Sequence, residues 1–399
     1  MKIKICIIGL GYVGLPVFLK LSTKFDAIGY DINKKRVKEL QQGVDRNLEF
    51  SKKDLKPKKN LKFTDKINFA KKSNFFIITV PTPILKNKKP DLSHIVSATK
   101  SVANIIKVND IVFIESTIYP GVTEEICAPI IEKYKNFKLN KDFFIGYSSE
   151  RINPGDSIHS IGKIPKVVAF ANNNRIIRDK ILRVYRVLSS KVVLSKNIKA
   201  AEISKLLENT QRDINIAFIN ETKIICSTLN ISFAETIKLA KTKWNFLKFN
   251  TGLVGGHCLP VDPYYLSYIA KKSNINSNVT LAGRKTNDLM VNFYYKRIIK
   301  KLLNNNKKLL LIGLTYKENV PDFRNSLSLK LFIKLNKKNK NIYAYDPYIK
   351  NLELRNKNIL KSINNNKKFD YVIFLVHHKL NSKFYKKIKD SKVINLNSI

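Results

Sequence analysis

Residues 2–16 read KIKICIIGLGYVGLP. Ile3, Ile5, Ile7 and Ile8 form a β-branched run, which favours a strand, and the run stops at Gly9. Gly9, Gly11 and Gly14 then give G-x-G-x-x-G ahead of an apolar helical stretch, Val13 to Leu21. The spacing alone is weak; a strand before it and a helix after it give it meaning. A second strand, AIGYD, follows and ends on Asp31. In such a unit the glycines provide the turn and a close approach, the helix N-terminus faces a pyrophosphate, and the acid accepts the ribose hydroxyls. A dinucleotide site is therefore expected on Gly9, Leu10, Gly11, Tyr12, Val13, Gly14 and Asp31. An acid at that point repels a 2′-phosphate, so NAD is expected rather than NADP. Arg36 either lies along the adenine or is a charge on the surface of the next helix.

Working outward, strand-like runs recur at FFIITV (75–80), IVFIES (111–116), FFIGY (143–147) and KVVAF (166–170), separated by helical lengths. That alternation predicts a parallel, doubly wound α/β sheet. Ligands on such sheets bind past the carboxyl ends of strands. VPTP (80–83), EST (115–117) and SSERINPG (148–155) fall there, which places Thr82, Thr117 and Glu150 where cofactor or substrate could touch them. Each is also, taken singly, an ordinary turn or cap residue.

From Lys166 to Asn250 there is neither glycine nor proline, which favours long helices, above all over 199–228. Ile203, Leu206, Leu207, Ile214, Ala217 and Phe218 predict one wide buried face on it. Lys205 and Asn209, four apart, share another face, as a prepared oxyanion contact or as a solvated lysine with a neighbouring amide. GLVGGHCLPVDPYY (252–265) then places Cys258 after a glycine pair and four residues before Asp262. Gly255 and Gly256 would let a substrate lie against the main chain beside the thiol. A thiol and a carboxylate in a stiff turn suit covalent chemistry, since an ionised sulfur attacks carbonyl carbon well; a small buried cysteine is the plainer reading. A second α/β unit follows: LLLIG (309–313), a helix from about Leu327 to Lys338, NIYAYD (341–346), DYVIFLV (370–376) and KVINLN (392–397), with no second G-x-G-x-x-G.

A chain of 399 residues predicts roughly two or three domains. Lysine and arginine number 74 against 30 acids, a net charge of +44, which raises nucleic-acid binding as a rival function. The basic residues are spread along the whole chain rather than gathered in a tail, so they are read as solvated faces, without nucleic acid. Cys6, Cys127, Cys226 and Cys258 are far apart and make neither metal spacing nor a disulfide framework. The opening imitates a signal peptide, but its apolar run is short, glycine-rich and lacks a small-residue cleavage site. No stretch reaches the roughly 18 apolar residues of a membrane span, so a cytoplasmic protein without membrane insertion is expected.

The motifs together resemble the UDP-glucose/GDP-mannose dehydrogenase family over essentially the whole chain. They are GLGYVGLP (9–16), YDIN (30–33), VPTP, ESTIYPGVT (115–123), SERINPGD (149–156), AAEISKLLENTQRDINIAFINE (200–221), TKWNFL (242–247), GLVGGHCLPVDPYYL (252–266), GRKTND (283–288) and GLTYKENVPDFRNS (313–326). The similarity is greatest to the branch acting on UDP-N-acetylglucosamine or UDP-N-acetylgalactosamine. It implies two Rossmann-like doubly wound domains, 1–196 for NAD and 304–399 for the UDP-sugar, joined by a central helical domain, 197–303, with a long helix that builds a dimer. It further implies oxidation of a primary alcohol to a carboxylate with two NAD in succession. Cys258 would carry a thiohemiacetal and then a thioester, Lys205 and Asn209 would stabilise oxyanions, and Asp262 would poise the water or lysine network. Glu150 would serve as general base with Thr117 as orienter. Cofactor contacts would fall on Gly9 to Gly14, Asp31, Arg36, Thr82, Thr117 and Arg324. Substrate contacts would fall on Glu150 to Pro154, Arg151 among them, and on Lys205, Asn209, Phe249 to Gly255, Tyr316 and Lys317. Asn250 and Thr251 stand where that branch usually has arginine and proline, so a plain UDP-glucose 6-dehydrogenase remains the alternative.

Overall fold

The computed structural model describes residues 2–56, 61–152, 161–302, 307–349, 354, 356–363 and 368–396. Its residues fall into two compact units, one running through Glu208 with Tyr264–Ile275 added, the other Asn209–Pro263 with Asn276–Ile399.

The first unit holds β1 (Lys4–Ile8), β2 (Asp26–Tyr30), β3 (Leu61–Thr64), β4 (Phe75–Ile78), β5 (Asp110–Ile114), β6 (Phe143–Ser148), β7 (Lys166–Phe170) and β8 (Val192–Ser195). They form one sheet in the order β3-β2-β1-β4-β5-β6-β7-β8, parallel throughout except between β6 and β7. Helices α1 (Gly14–Leu21), α2 (Lys34–Gln41), α3 (Ser93–Ile105), α4 (Ala128–Lys135) and α5 (Arg175–Leu188) connect them. Strands β4 and β5 are buried at every position, as expected of parallel strands covered on both faces. Phe75, Phe113 and Tyr185 pack ring to ring beneath them, with Phe75 and Phe113 stacked at 5.7 Å. Strand order reverses between β1 and β4, so the crevice for a ligand opens past Gly9 and Thr79.

Helix α6 (Ile198–Thr228) begins in the first unit and ends in the second. α7 (Phe233–Ala240), α8 (Asp262–Lys272) and α9 (Asn278–Leu302) follow, then β9 (Leu309–Ile312), α10 (Leu327–Lys338), β10 (Ile342–Tyr345), β11 (Ile359–Leu360), β12 (Tyr371–Phe374), α11 (Ser382–Lys387) and β13 (Lys392–Asn395). These strands make an all-parallel sheet, β11-β10-β9-β12-β13. Gly313 after β9 has φ +89°, and its N–H donates to Tyr345 O at 2.9 Å. Asp346 accepts from Leu314 N at 2.6 Å and Thr315 N at 3.0 Å, and His378 Nε2 lies 3.1 Å from the same oxygen. α10 starts where Ser326 caps it, accepting from Leu329 N.

The expected wide buried face of α6 is wrong. Leu206 and Ala217 are buried, but Ile203, Leu207 and Phe218 are exposed, in line with Ile225. The helix buries one apolar stripe and exposes another, which periodicity merges into one face. The short strands β3, β8 and β11 were not visible in the sequence; with two to four residues each, they are too brief to show alternation.

Candidate active site

Gly9 has φ +95°, which an L side chain rarely adopts, and its N–H donates to Tyr30 O at 2.8 Å. A Cβ at Gly14 would stand 1.8 Å from Gly9 O and 2.4 Å from Thr79 Oγ1, so this position packs loop against strand. A Cβ at Gly11 would meet no atom within 4 Å. Asp31 Oδ2 accepts from Leu10 N and Oδ1 from Asn33 N, both at 2.8 Å, which leaves each oxygen a lone pair. Val13 precedes α1 without any side-chain cap on its first turn. Arg36 is not a surface charge: it is buried, donating from Nε to Leu10 O at 2.9 Å and from Nη1 to Asp45 Oδ1 at 2.8 Å. It supports the loop, and its Nη2 has no hydrogen-bond partner among the described residues.

At the ends of β4 and β5, side-chain hydroxyls tie the turns together. Thr79 Oγ1 lies 2.8 Å from Gly9 O, Ser116 donates to Val80 O at 2.7 Å, and Thr82 donates to Thr117 O at 2.6 Å. Tyr265 donates to Thr82 O at 3.0 Å. Past β6, Glu150 Oε1 accepts from Arg151 N and Ile152 N, each at 2.7 Å, while Oε2 lies 2.5 Å from Lys166 Nζ. The same ammonium is 2.9 Å from Glu115 Oε2. Burial opposes ionisation of Glu150, but Lys166 and the two amides outweigh it and hold the carboxyl below its usual range. Glu115 is pushed up, by burial first and by Glu150 second. Arg151 is ion-paired with Glu208 and donates from Nη1 to Pro165 O at 3.0 Å. Asn153 and Pro154, named with Glu150 as substrate contacts, lie outside the described residues.

In the second unit, Cys258 is exposed, whereas the other three cysteines are buried. Its carbonyl accepts from Val261 N at 2.9 Å and Asp262 N at 2.8 Å, closing the turn ahead of α8. Asp262 is buried, and Asn209 Nδ2 donates to its Oδ2 at 2.5 Å. Lys205, one turn earlier on α6 and part of the first unit, is buried. The start of the loop is held by Asn220, which donates to Gly252 O at 3.1 Å and accepts from Gly252 N at 2.9 Å. Arg284 pairs with Asp213 at 2.5 Å and reaches Leu259 O at 3.4 Å. Burial pushes the Asp213 carboxyl up to about 6 against the pull of Arg284.

The glycine pair also packs against protein. A Cβ at Gly255 would lie 2.9 Å from Asn325 O, and one at Gly256, which has φ +97°, would lie 2.7 Å from the Tyr316 ring. In the direction of each Cβ the space is filled by protein. His257 Nε2 lies 2.5 Å from Asp322 Oδ2, and Arg324 Nη2 donates to the same oxygen at 2.8 Å. Burial disfavours the Asp322 anion, but these two partners hold its carboxyl far below the usual range. Arg324, Tyr316 and His257 thus gather beside the cysteine loop, while Phe249 and Lys317 are half-buried.

Residues 3–189, 199–289 and 310–397 match the NAD binding, central and UDP binding domains of the UDP-glucose/GDP-mannose dehydrogenase family. The chain belongs to that family. It is 42% identical over 360 residues to a UDP-N-acetyl-D-glucosamine 6-dehydrogenase of Salmonella typhi, covering 89% of this chain and 84% of that one. It is also 42% identical to Protein CapL of Staphylococcus aureus, covering 95% and 91%. The solved structure of a UDP-D-ManNAc dehydrogenase from Pyrococcus horikoshii superposes with a TM-score of 0.83 at 28% identity, covering 98% of this chain and 95% of that one.

As a member of the UDP-glucose/GDP-mannose dehydrogenase family the protein is an NAD-dependent oxidoreductase, and its first sheet fits the cofactor. The open side of Gly11, the uncapped helix and the spare lone pairs of Asp31 are what a pyrophosphate and a ribose require. Among the described residues no helix is long and apolar enough to cross a membrane, and no cluster of His, Cys, Asp and Glu could hold a metal. Sequence reasoning missed Glu115, Lys166, Asp213, Asn220 and Arg284. Lys166 opens an apolar strand and looks like a solvated end; the buried acid facing it is 51 residues away.

Proposed function

We propose that the protein oxidises a UDP-N-acetylhexosamine at carbon six to the UDP-N-acetylhexosaminuronic acid, for surface polysaccharide, through covalent attachment to Cys258. The observation that carries this reading is the exposed Cys258 on a turn whose Asp262 is tied to Asn209, in a chain 42% identical to enzymes so named. NAD accepts a hydride in each of the two oxidations. Loss of hydride and proton from the alcohol gives an aldehyde, and the Cys258 thiolate adds to its carbon, so the thiohemiacetal cannot diffuse away. A second hydride loss leaves a thioester; water adds, the C–S bond breaks, and carboxylate and thiol are released. Lys205 and Asn209 stabilise the oxyanions. Asp262 poises their network, and Glu150 with Thr117 directs the hydrolytic water. The remaining cofactor and substrate contacts are those named from the sequence.

UDP-glucose is the second reading, because Asn250 and Thr251 depart from the N-acetylhexosamine pattern; Thr251 Oγ1 lies 3.2 Å from Tyr294 OH. Purified protein with NAD is given UDP-N-acetylglucosamine, UDP-N-acetylgalactosamine and UDP-glucose in parallel, and NADH is counted per sugar consumed. Two NADH from an N-acetylated sugar are expected. Two from UDP-glucose alone would select the second reading, and one per sugar would end the four-electron scheme.

The reading includes domains at 1–196, 197–303 and 304–399, a cytoplasmic enzyme, no nucleic-acid partner, and a homodimer. The outward stripe of Ile203, Leu207, Phe218 and Ile225 supports the dimer, since a two-fold contact needs one patch that complements itself. Phe218→Glu is expected to sediment as a monomer at micromolar concentration; a variant that stays dimeric would move the contact off this helix.

A further inference from the structure

Lys166 and Glu115 have no part in the chemistry just described, yet they are among the most enclosed charges of the first unit, with side chains 8% and 0% exposed. Two acids and one lysine form a chain, Glu115–Lys166–Glu150, drawn from the ends of β5 and β6 and the start of β7. Isolated buried charge is costly, and a buried charge set persists only where its members satisfy one another. Here the satisfaction is lopsided. Glu150 has Oε1 filled by two amides and Oε2 met by the lysine, so among the described residues one lone pair of Oε2 remains. Glu115 keeps Oε1 without a hydrogen-bond partner among the described residues.

We propose that Lys166, shared with Glu115, is a positioning residue that fixes Glu150 as a stationary anion with a single Oε2 lone pair directed to accept from the hydrolytic water. This rests on the reading of Glu150 as the group that handles that water. A lysine given wholly to Glu150 would make it a poor proton acceptor, and Glu115 takes part of the lysine's charge. The groups facing Glu150 are Glu115 from β5, Lys166 from β7 and Tyr185 from α5, with the Arg151–Glu208 ion pair beside it. Removing the lysine leaves burial unopposed except by the two amides, so the Glu150 carboxyl titrates higher and the acid limb of kcat moves to higher pH.

Lys166→Met, Lys166→Arg and Glu150→Gln are compared by kcat, KM, pH profile and intact mass of the enzyme during turnover. Lys166→Met is expected to lose roughly 100-fold in kcat with KM within about threefold, the low end of general-base assistance. Its acid limb should move up in pH, and acylated enzyme should accumulate; Lys166→Arg should recover the limb. If Lys166→Met does not fold, Lys166→Gln with Glu115→Gln removes both charges together and should show the same limb shift. A wild-type limb and kcat in the lysine variants, with acyl-enzyme accumulating in Glu150→Gln, would overturn the proposal and leave the Glu150 reading standing. Wild-type turnover by Glu150→Gln would remove that reading, and the proposal with it.

Discussion

Cys258→Ser is expected to abolish uronic-acid formation, by about a thousandfold or more, while leaving NAD affinity unchanged. The first half follows from chemistry. A serine hydroxyl is hardly ionised at neutral pH, so it captures an aldehyde poorly, and an oxygen ester leaves less readily than a thioester. The second half follows from architecture, because the glycine loop and Asp31, proposed to meet the dinucleotide, belong to the first compact unit and Cys258 to the second. Loss of NAD binding in the variant would show that the substitution had disturbed the fold. The loop is held at Gly252, Gly256, Leu259 and Asp262 by side chains other than Cys258, so it should keep its shape. Chromatographic assay of product and a fluorescence titration of NAD provide both readouts. Turnover at the wild-type rate would sink the thioester route.

Gly14→Ala is expected to weaken NAD binding by about 100-fold or more and to destabilise the first unit by roughly 1–3 kcal/mol, the cost of forcing a methyl group into filled space. The new Cβ would overlap Gly9 O, which is backbone and has no rotamer to change. Relief must come from moving α1 or the loop, and either displaces the amides proposed to meet the pyrophosphate. Gly11→Ala is the control. Its Cβ meets nothing, so thermal stability should be kept while NAD affinity falls, because the methyl group enters the path of the ligand. Equal stability for the two variants would mean that Gly14 is not a packing position.

Much of this was legible because the signals were local. The glycine spacing, the β-branched run before it and Asp31 after it lie within a single stretch, and they describe the first crossover of the sheet as it is found. The cysteine turn was equally local: Cys258 and Asp262 are bound through one turn of backbone. What sequence could not supply was the far partner. Nothing near Gly255 and Gly256 in the chain announces that Tyr316 and Asn325 pack against them, and nothing near Lys166 announces that Glu115 and Glu150 close around it. The error on α6 is of the same kind. Its apolar residues predict burial, but a single helical period cannot say which stripe its own fold covers and which it offers outward.

The second sheet repeats the frame of the first. Gly313 after β9 bonds to Tyr345 as Gly9 after β1 bonds to Tyr30, and Asp346 accepts from Leu314 N as Asp31 accepts from Leu10 N. The difference lies in what else each acid holds. Asp31 is half-buried and keeps a lone pair on each oxygen, whereas Asp346 is fully enclosed by Thr315, Tyr348 and His378. His378 Nδ1 accepts from Asn319 N at 3.0 Å, so the ring proton is on Nε2, 3.1 Å from Asp346 Oδ2. The same frame therefore serves two ends: at Asp31 it leaves an acid open, and at Asp346 it closes one against the chain's own histidine.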